Sequence, residues 1–205
     1  MRWVLVAACS VALGLLLRRR VFRPGEPVDA PLLLLGAGFM LLEVTGVSRA
    51  ALLFGTTWTV NAYVVAAILG MILLANLAAS RTRGAAGAFA KVGLVVSLVA
   101  LVVVPTAWLA ALSLPLRVVL GGGFLALPVF FAGIVFVTLW AASARRDLAL
   151  GSNLLGALAG GVASLLSMVI GFQALAVLTL LVYVAALALR WRRRGHSGAP
   201  VALPG

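Results

Sequence analysis

Long apolar runs alternate with short clusters of arginine, glycine and proline along this chain. The runs follow neither a strand's strict alternation nor the single stripe of a surface helix. They are apolar all round, as helices buried in lipid or protein are. Crossing a bilayer takes about 20 such residues in a helix. Seven stretches read as spans: Trp3–Leu17, Ala30–Ser48, Thr57–Ala79, Val92–Ala111, Leu116–Ala142, Gly151–Val169 and Gly171–Leu189. The first is short, and Arg18 can extend it by snorkelling. The last two form one apolar stretch too long for a single crossing, and Gly171 is the point of division. The pattern predicts an all-α fold, a polytopic transmembrane helix bundle of about seven spans. It forms one domain over residues 1–194, followed by a flexible Gly/Pro-containing tail at 195–205.

Composition sharpens this picture. Apolar residues make up 64% of the 205, and charged residues 10%. Soluble domains carry about 45–50% and about 25%, and a chain this short cannot hide the excess in one core. A soluble enzyme, a disordered chain and a nucleic-acid-binding domain are excluded. The net charge of +12 does not revive nucleic acid, because the arginines cluster between apolar runs. Counted by connection, thirteen basic residues fall on one side of the seven-span arrangement. Only Arg2, Arg49 and Arg117 fall on the other. Basic residues stay on the cytoplasmic side, so the N-terminus is expected outside and the C-terminus in the cytoplasm, in the inner (plasma) membrane. Trp3, Trp58, Trp108, Trp140 and Trp191 all fall near expected helix ends, where an indole ring prefers the interface.

The N-terminus reads as an uncleaved helix. No small-residue cleavage site precedes Arg18, and the stub before Val6-Ala7-Ala8-Cys9 is too short for a lipoprotein signal. Cys9 is the one cysteine and His196 the one histidine, so neither an internal disulfide nor a metal site is expected, and no cofactor.

Few side chains could carry chemistry. Glu43 is the one acid inside an expected span, and an intramembrane ionisable group is a functional candidate by default. It could serve as counter-charge for a cation or a proton. It could equally reach the interface, or pair with Arg49 or Arg117. Asn61 and Asn76 lie 15 residues apart on the third span, about 60° from each other at 100° per residue, with Tyr63 close to the first. They could line a polar path or bond to a neighbouring helix. Asn153 is a further candidate for a polar site and lies in a more specific segment, Gly151 to Gly161. Ser152, Gly156, Gly160 and Ser164 recur every four residues, a small-residue ridge on which another helix backbone can close. Gly121-Gly122-Gly123 and Pro128 interrupt the fifth span and Pro105 the fourth, as kinks or as cavity-lining breaks. There is no nucleophile–base pair and no paired carboxylate set, so the chain is not expected to be an enzyme on its own.

Several blocks carry a family resemblance. They are Leu35-Gly36-Ala37-Gly38-Phe39-Met40-Leu41-Leu42-Glu43, Leu52 to Asn61, Met71 to Leu77, Leu127 to Phe136 and Ala149 to Gly156. In that order they resemble the C-terminal membrane region of bacterial spermidine-synthase-like multispanning proteins, over approximately residues 30–189. In that family the helices accompany a soluble aminopropyltransferase-like or methyltransferase-like domain, which has no counterpart here. The family's Leu-Leu-Glu block continues Thr-Lys, whereas Val44 and Thr45 follow Glu43 in this chain. The resemblance implies a non-catalytic membrane module that anchors or regulates a partner, either a soluble synthase-like chain or a larger membrane complex. The competing reading is a small carrier or channel for a polyamine or another cation, using Glu43, Asn61 and Asn76. A third, membrane-embedded catalysis, requires a donor domain on another chain.

Overall fold

The structure, a computed structural model, describes residue 14, residues 28–81 and residues 86–196. Those residues are helical almost throughout, and no strand occurs among them. Helix α1 spans Ala30–Phe54. Asp29 stands at its N-cap and Pro31 in its first turn, where the missing N–H costs nothing. It stops at Gly55, whose φ of 94° suits glycine, and whose N–H returns to the Ala51 carbonyl at 2.9 Å. Helix α2 spans Trp58–Arg81 and α3 spans Ala86–Val103.

Pro105 ends α3 sooner than the apolar pattern suggested. Proline has no N–H and disfavours helical geometry in the residue before it, so the expected span to Ala111 becomes α3 followed by the short α4, Thr106–Ala110. A turn at Leu114–Leu116 and a π-helical stretch, Arg117–Gly121, lead into α5, Gly122–Ala141. The glycine triplet is thus the exit of a π-bulge, not an unwound break, and Pro128 is accommodated inside α5. Helix α6 spans Arg146–Ala163, a 3-10 turn covers Ser164–Leu166, and α7 runs over Ser167–His196. Gly171 breaks α7 with φ 80° and ψ 166°, a conformation open essentially to glycine alone.

By length and composition four helical runs could cross a membrane: Ala30–Phe54, Ala62–Arg81, Leu114–Ala141 and Arg146–Arg192. The last has 47 residues and contains both α6 and α7, divided by the 3-10 turn and Gly171. Helix α3 is apolar but shorter. These helices are compatible with a multi-pass membrane protein. The expected span Trp3–Leu17 and the tail beyond His196 lie outside the described residues.

Helix α1 is the centre of the bundle, packed most extensively on α6 and then on α7 and α5. At the α1–α6 crossing the two backbones touch. A methyl group at Gly36 would collide with the Asn153 carbonyl, one at Gly156 with the Leu33 carbonyl, and one at Gly160 with the Ala37 carbonyl. Ser152 continues this face: its Oγ accepts from the Asp29 N–H (2.9 Å) and donates to the Leu148 carbonyl (2.7 Å). Ser164 ends the ridge half-buried in the 3-10 turn, its hydroxyl donating to Gly161 O. Elsewhere Gly93 of α3 admits the Phe131 ring of α5, which meets Phe89 edge-on at 5.8 Å. Helix α2 is peripheral: it rests on α5 where Gly133 faces Ala75, its one buried residue among those described.

Candidate functional site

Five helices meet around a cavity of about 230 Å³ near the arginine-bearing end of the bundle. Leu35 and Phe39 come from α1, Ile72 and Asn76 from α2, and Ala132, Gly133 and Phe136 from α5. Asn153 of α6 and Tyr183 of α7 complete the lining. Asn76 precedes Arg81 by five residues and Asn153 follows Arg146 by seven, so both stand within about 10 Å of that end along their helices.

Tyr183 is 1% exposed. Its ring lies against Gly38 of α1, where an added Cβ would approach Cε2 at 2.9 Å, so the glycine is what lets the ring in. The phenolic oxygen is buried without a hydrogen-bond partner. Neither Asn76 nor Asn153 makes a side-chain hydrogen bond among the described residues. Three polar groups from three helices thus border one cavity with their bonding capacity unused. Leaving a buried polar group unpaired costs about 1–3 kcal/mol; that cost falls on the Tyr183 hydroxyl, since Asn76 is exposed and Asn153 half-buried. No lining residue carries a charge at neutral pH.

Glu43 lies elsewhere. It is half-buried in an almost wholly apolar cleft of about 70 Å³ between α1, α2 and α5, with Leu42, Gly46, Ile68, Leu125 and Val129 around it. The suggested pairing with Arg49 or Arg117 does not occur, because both arginines are turned to backbone carbonyls at helix ends. Arg117 donates to Leu53 O (3.3 Å) and Leu112 O (2.9 Å). It also lines a wider apolar groove of about 880 Å³, between α1, α2 and the start of α5, together with Tyr63. Tyr63 is 77% exposed and shares no cavity with Asn76. Asn61 belongs to α2, but its side chain is outside the described positions. Asn76 and Asn153, 77 positions apart, are therefore brought together, while Glu43 and Tyr63 are not joined to them.

A second polar cluster ties α1, α3 and α7. Arg49 is 3% exposed and donates to Gln173 Oε1 at 3.0 Å and to the Val104 carbonyl at 3.4 Å. Gln173 in turn donates to the Val102 carbonyl at 2.5 Å. The last carbonyls of a helix lack intrahelical partners, and Pro105 prevents α3 from continuing, so these two side chains close its C-terminal end. A guanidinium buried without a carboxylate is tolerable here because carbonyl and amide dipoles take its N–H groups.

Sequence reasoning overlooked Gln173 and Tyr183. Both are polar residues within apolar stretches, and that was the signal that could have found them. At the arginine-bearing end Arg145 pairs with Asp147 at 3.3 Å, and Arg146 sits 5.4 Å over the Trp140 ring. No group of three or more His, Cys, Asp or Glu suited to a metal occurs among the described residues. Comparison of the chain with protein-family models, curated proteins and solved structures finds no match.

Proposed function

We propose that this chain is a non-catalytic membrane module that anchors or regulates a partner. It crosses the inner (plasma) membrane about seven times, with the N-terminus outside and the C-terminus in the cytoplasm. The observation that carries the reading is the separation of the polar side chains. The Glu43 cleft shares no lining residue with the Asn76–Asn153 cavity, so Glu43 and the two amides do not line one common cavity. The α1–α6 crossing supports the same reading, since backbone contact through Gly36, Gly156 and Gly160 builds a rigid pair rather than a moving gate. The likeness to spermidine-synthase-like membrane regions makes a soluble synthase-like chain the first partner to look for, ahead of a larger membrane complex.

The test is extraction of the tagged native protein in a mild detergent, with mass spectrometry of what co-purifies. A stoichiometric protein partner is expected; a chain that emerges alone, monodisperse and folded overturns the reading. A small carrier for a polyamine or another cation is the second reading. One observation favours it: the Glu43 cleft and the wider groove have Phe54, Val64, Ala67, Gly122 and Ala126 in common. Against it, Arg117 stands in that groove and would repel a cation.

A further inference from the structure

We infer that the cavity bordered by Asn76, Asn153 and Tyr183 binds the oxygen-bearing ring head of a neutral, lipid-soluble molecule, with a quinone as the chemical class. The charge of the site comes first. No ionisable side chain other than the Tyr183 phenol lines it, and burying an ion without a counter-charge costs several kcal/mol. That selects a neutral ligand over a polyamine or a phosphate. Size comes second. At about 230 Å³ the cavity lies below the roughly 300 Å³ at which drug-sized pockets begin. It accepts about one substituted ring, not a whole lipid.

The polar groups set the orientation. The Tyr183 hydroxyl can donate a hydrogen bond, each amide can donate through its NH₂, and none has a partner within the described chain. Ring carbonyl oxygens are acceptors and match such a set. Phe39 and Phe136 supply aromatic walls for the ring. Asn76 is exposed on α2 as well as lining the cavity. The site therefore opens sideways to the surrounding apolar phase, from which a lipid-soluble head can enter while its tail stays outside. The inference goes beyond the module reading and does not depend on a protein partner.

The experiment titrates the purified full-length protein in detergent with decylubiquinone, using thermal shift and native mass spectrometry, and with spermidine in parallel. Saturable one-to-one binding of the quinone and none of spermidine is expected. Tyr183→Phe, which deletes a single oxygen, should weaken Kd about three- to tenfold, the worth of one hydrogen bond. Asn153→Leu should weaken it at least as much, and Tyr63→Phe on the exposed face should leave it unchanged. Absence of saturable quinone binding to folded wild-type protein overturns the inference. So does binding that is indifferent to Tyr183→Phe, or saturable spermidine binding that Tyr183→Phe weakens. Should Asn153→Leu fail to fold, Tyr183→Phe decides alone. Quinone binding by a chain that purifies without a protein partner would uphold this site and sink the module reading.

Discussion

Gly156→Ala against Gly161→Ala tests whether backbone contact at the α1–α6 crossing holds the bundle together. The two glycines sit five residues apart on α6 and differ in what a methyl group would meet. At Gly156 the new Cβ would collide with the Leu33 carbonyl oxygen and lie 2.7 Å from its carbon and 3.0 Å from its Cα. Those atoms are α1 backbone, so no side chain can swing aside. Ordinary carbon contacts fall at about 3.5–4.0 Å, so the helices must separate by roughly 1 Å. At Gly161 the nearest atom is the flexible Met40 Cε at 3.9 Å, an ordinary contact. Overpacking of this kind costs about 1–3 kcal/mol, whereas alanine in a helix gains about 0.5–1 kcal/mol over glycine. Gly156→Ala should therefore lower stability by about 1–2 kcal/mol once the helix-propensity gain is offset, and Gly161→Ala should be neutral or mildly stabilising. Reversible unfolding in mixed detergent micelles, followed by circular dichroism, measures both. Equal stability of the two variants would refute the claim that α1 and α6 meet backbone to backbone.

Tyr183→Phe removes a buried hydroxyl that has no partner, and should raise the stability of the ligand-free protein by about 1 kcal/mol in the same unfolding assay. A loss of stability would mean that the hydroxyl is bonded. Gln173→Leu strips the Val102 carbonyl of its side-chain donor and Arg49 of an acceptor, and should cost about 2–3 kcal/mol; an unchanged midpoint would show that the cluster contributes nothing. Glu43→Gln should leave expression and partner recovery at wild-type level under the module reading, and abolish cation flux into proteoliposomes under the carrier reading. A reporter fused to the C-terminus should stay inaccessible to an impermeant label added outside intact cells, and labelling would reverse the proposed orientation.

Part of the element order was legible in one dimension because its punctuation is chemical. Gly171, expected as a point of division, takes a conformation closed to other residues within α7. The stop of α1 at Gly55, by contrast, was not expected, and Pro105, expected inside a span, ends α3. The candidate site was legible only in pieces. Asn76 and Asn153 stood out as polar residues in apolar runs, but no spacing rule connects positions 76 and 153. Tyr183 drew no notice, since a tyrosine in a long apolar helix suits either a core or an interface. Glu43 drew the most notice as the one acid in a span, yet its nearest surroundings are apolar and it joins no cluster.

Sequence alone pointed to a helical chain of long apolar runs, to the break at Gly171, and to the clusters between those runs in which its arginines gather. Tertiary structure alone decided which helices touch, and so which polar groups share a cavity. The reason is physical. In a soluble helix the polar face marks the outside, whereas helices apolar on every side carry no such mark. Which face packs is then settled by shape: by glycines that admit a carbonyl or a tyrosine ring, and by the few polar side chains that find carbonyls at the ends of their neighbours.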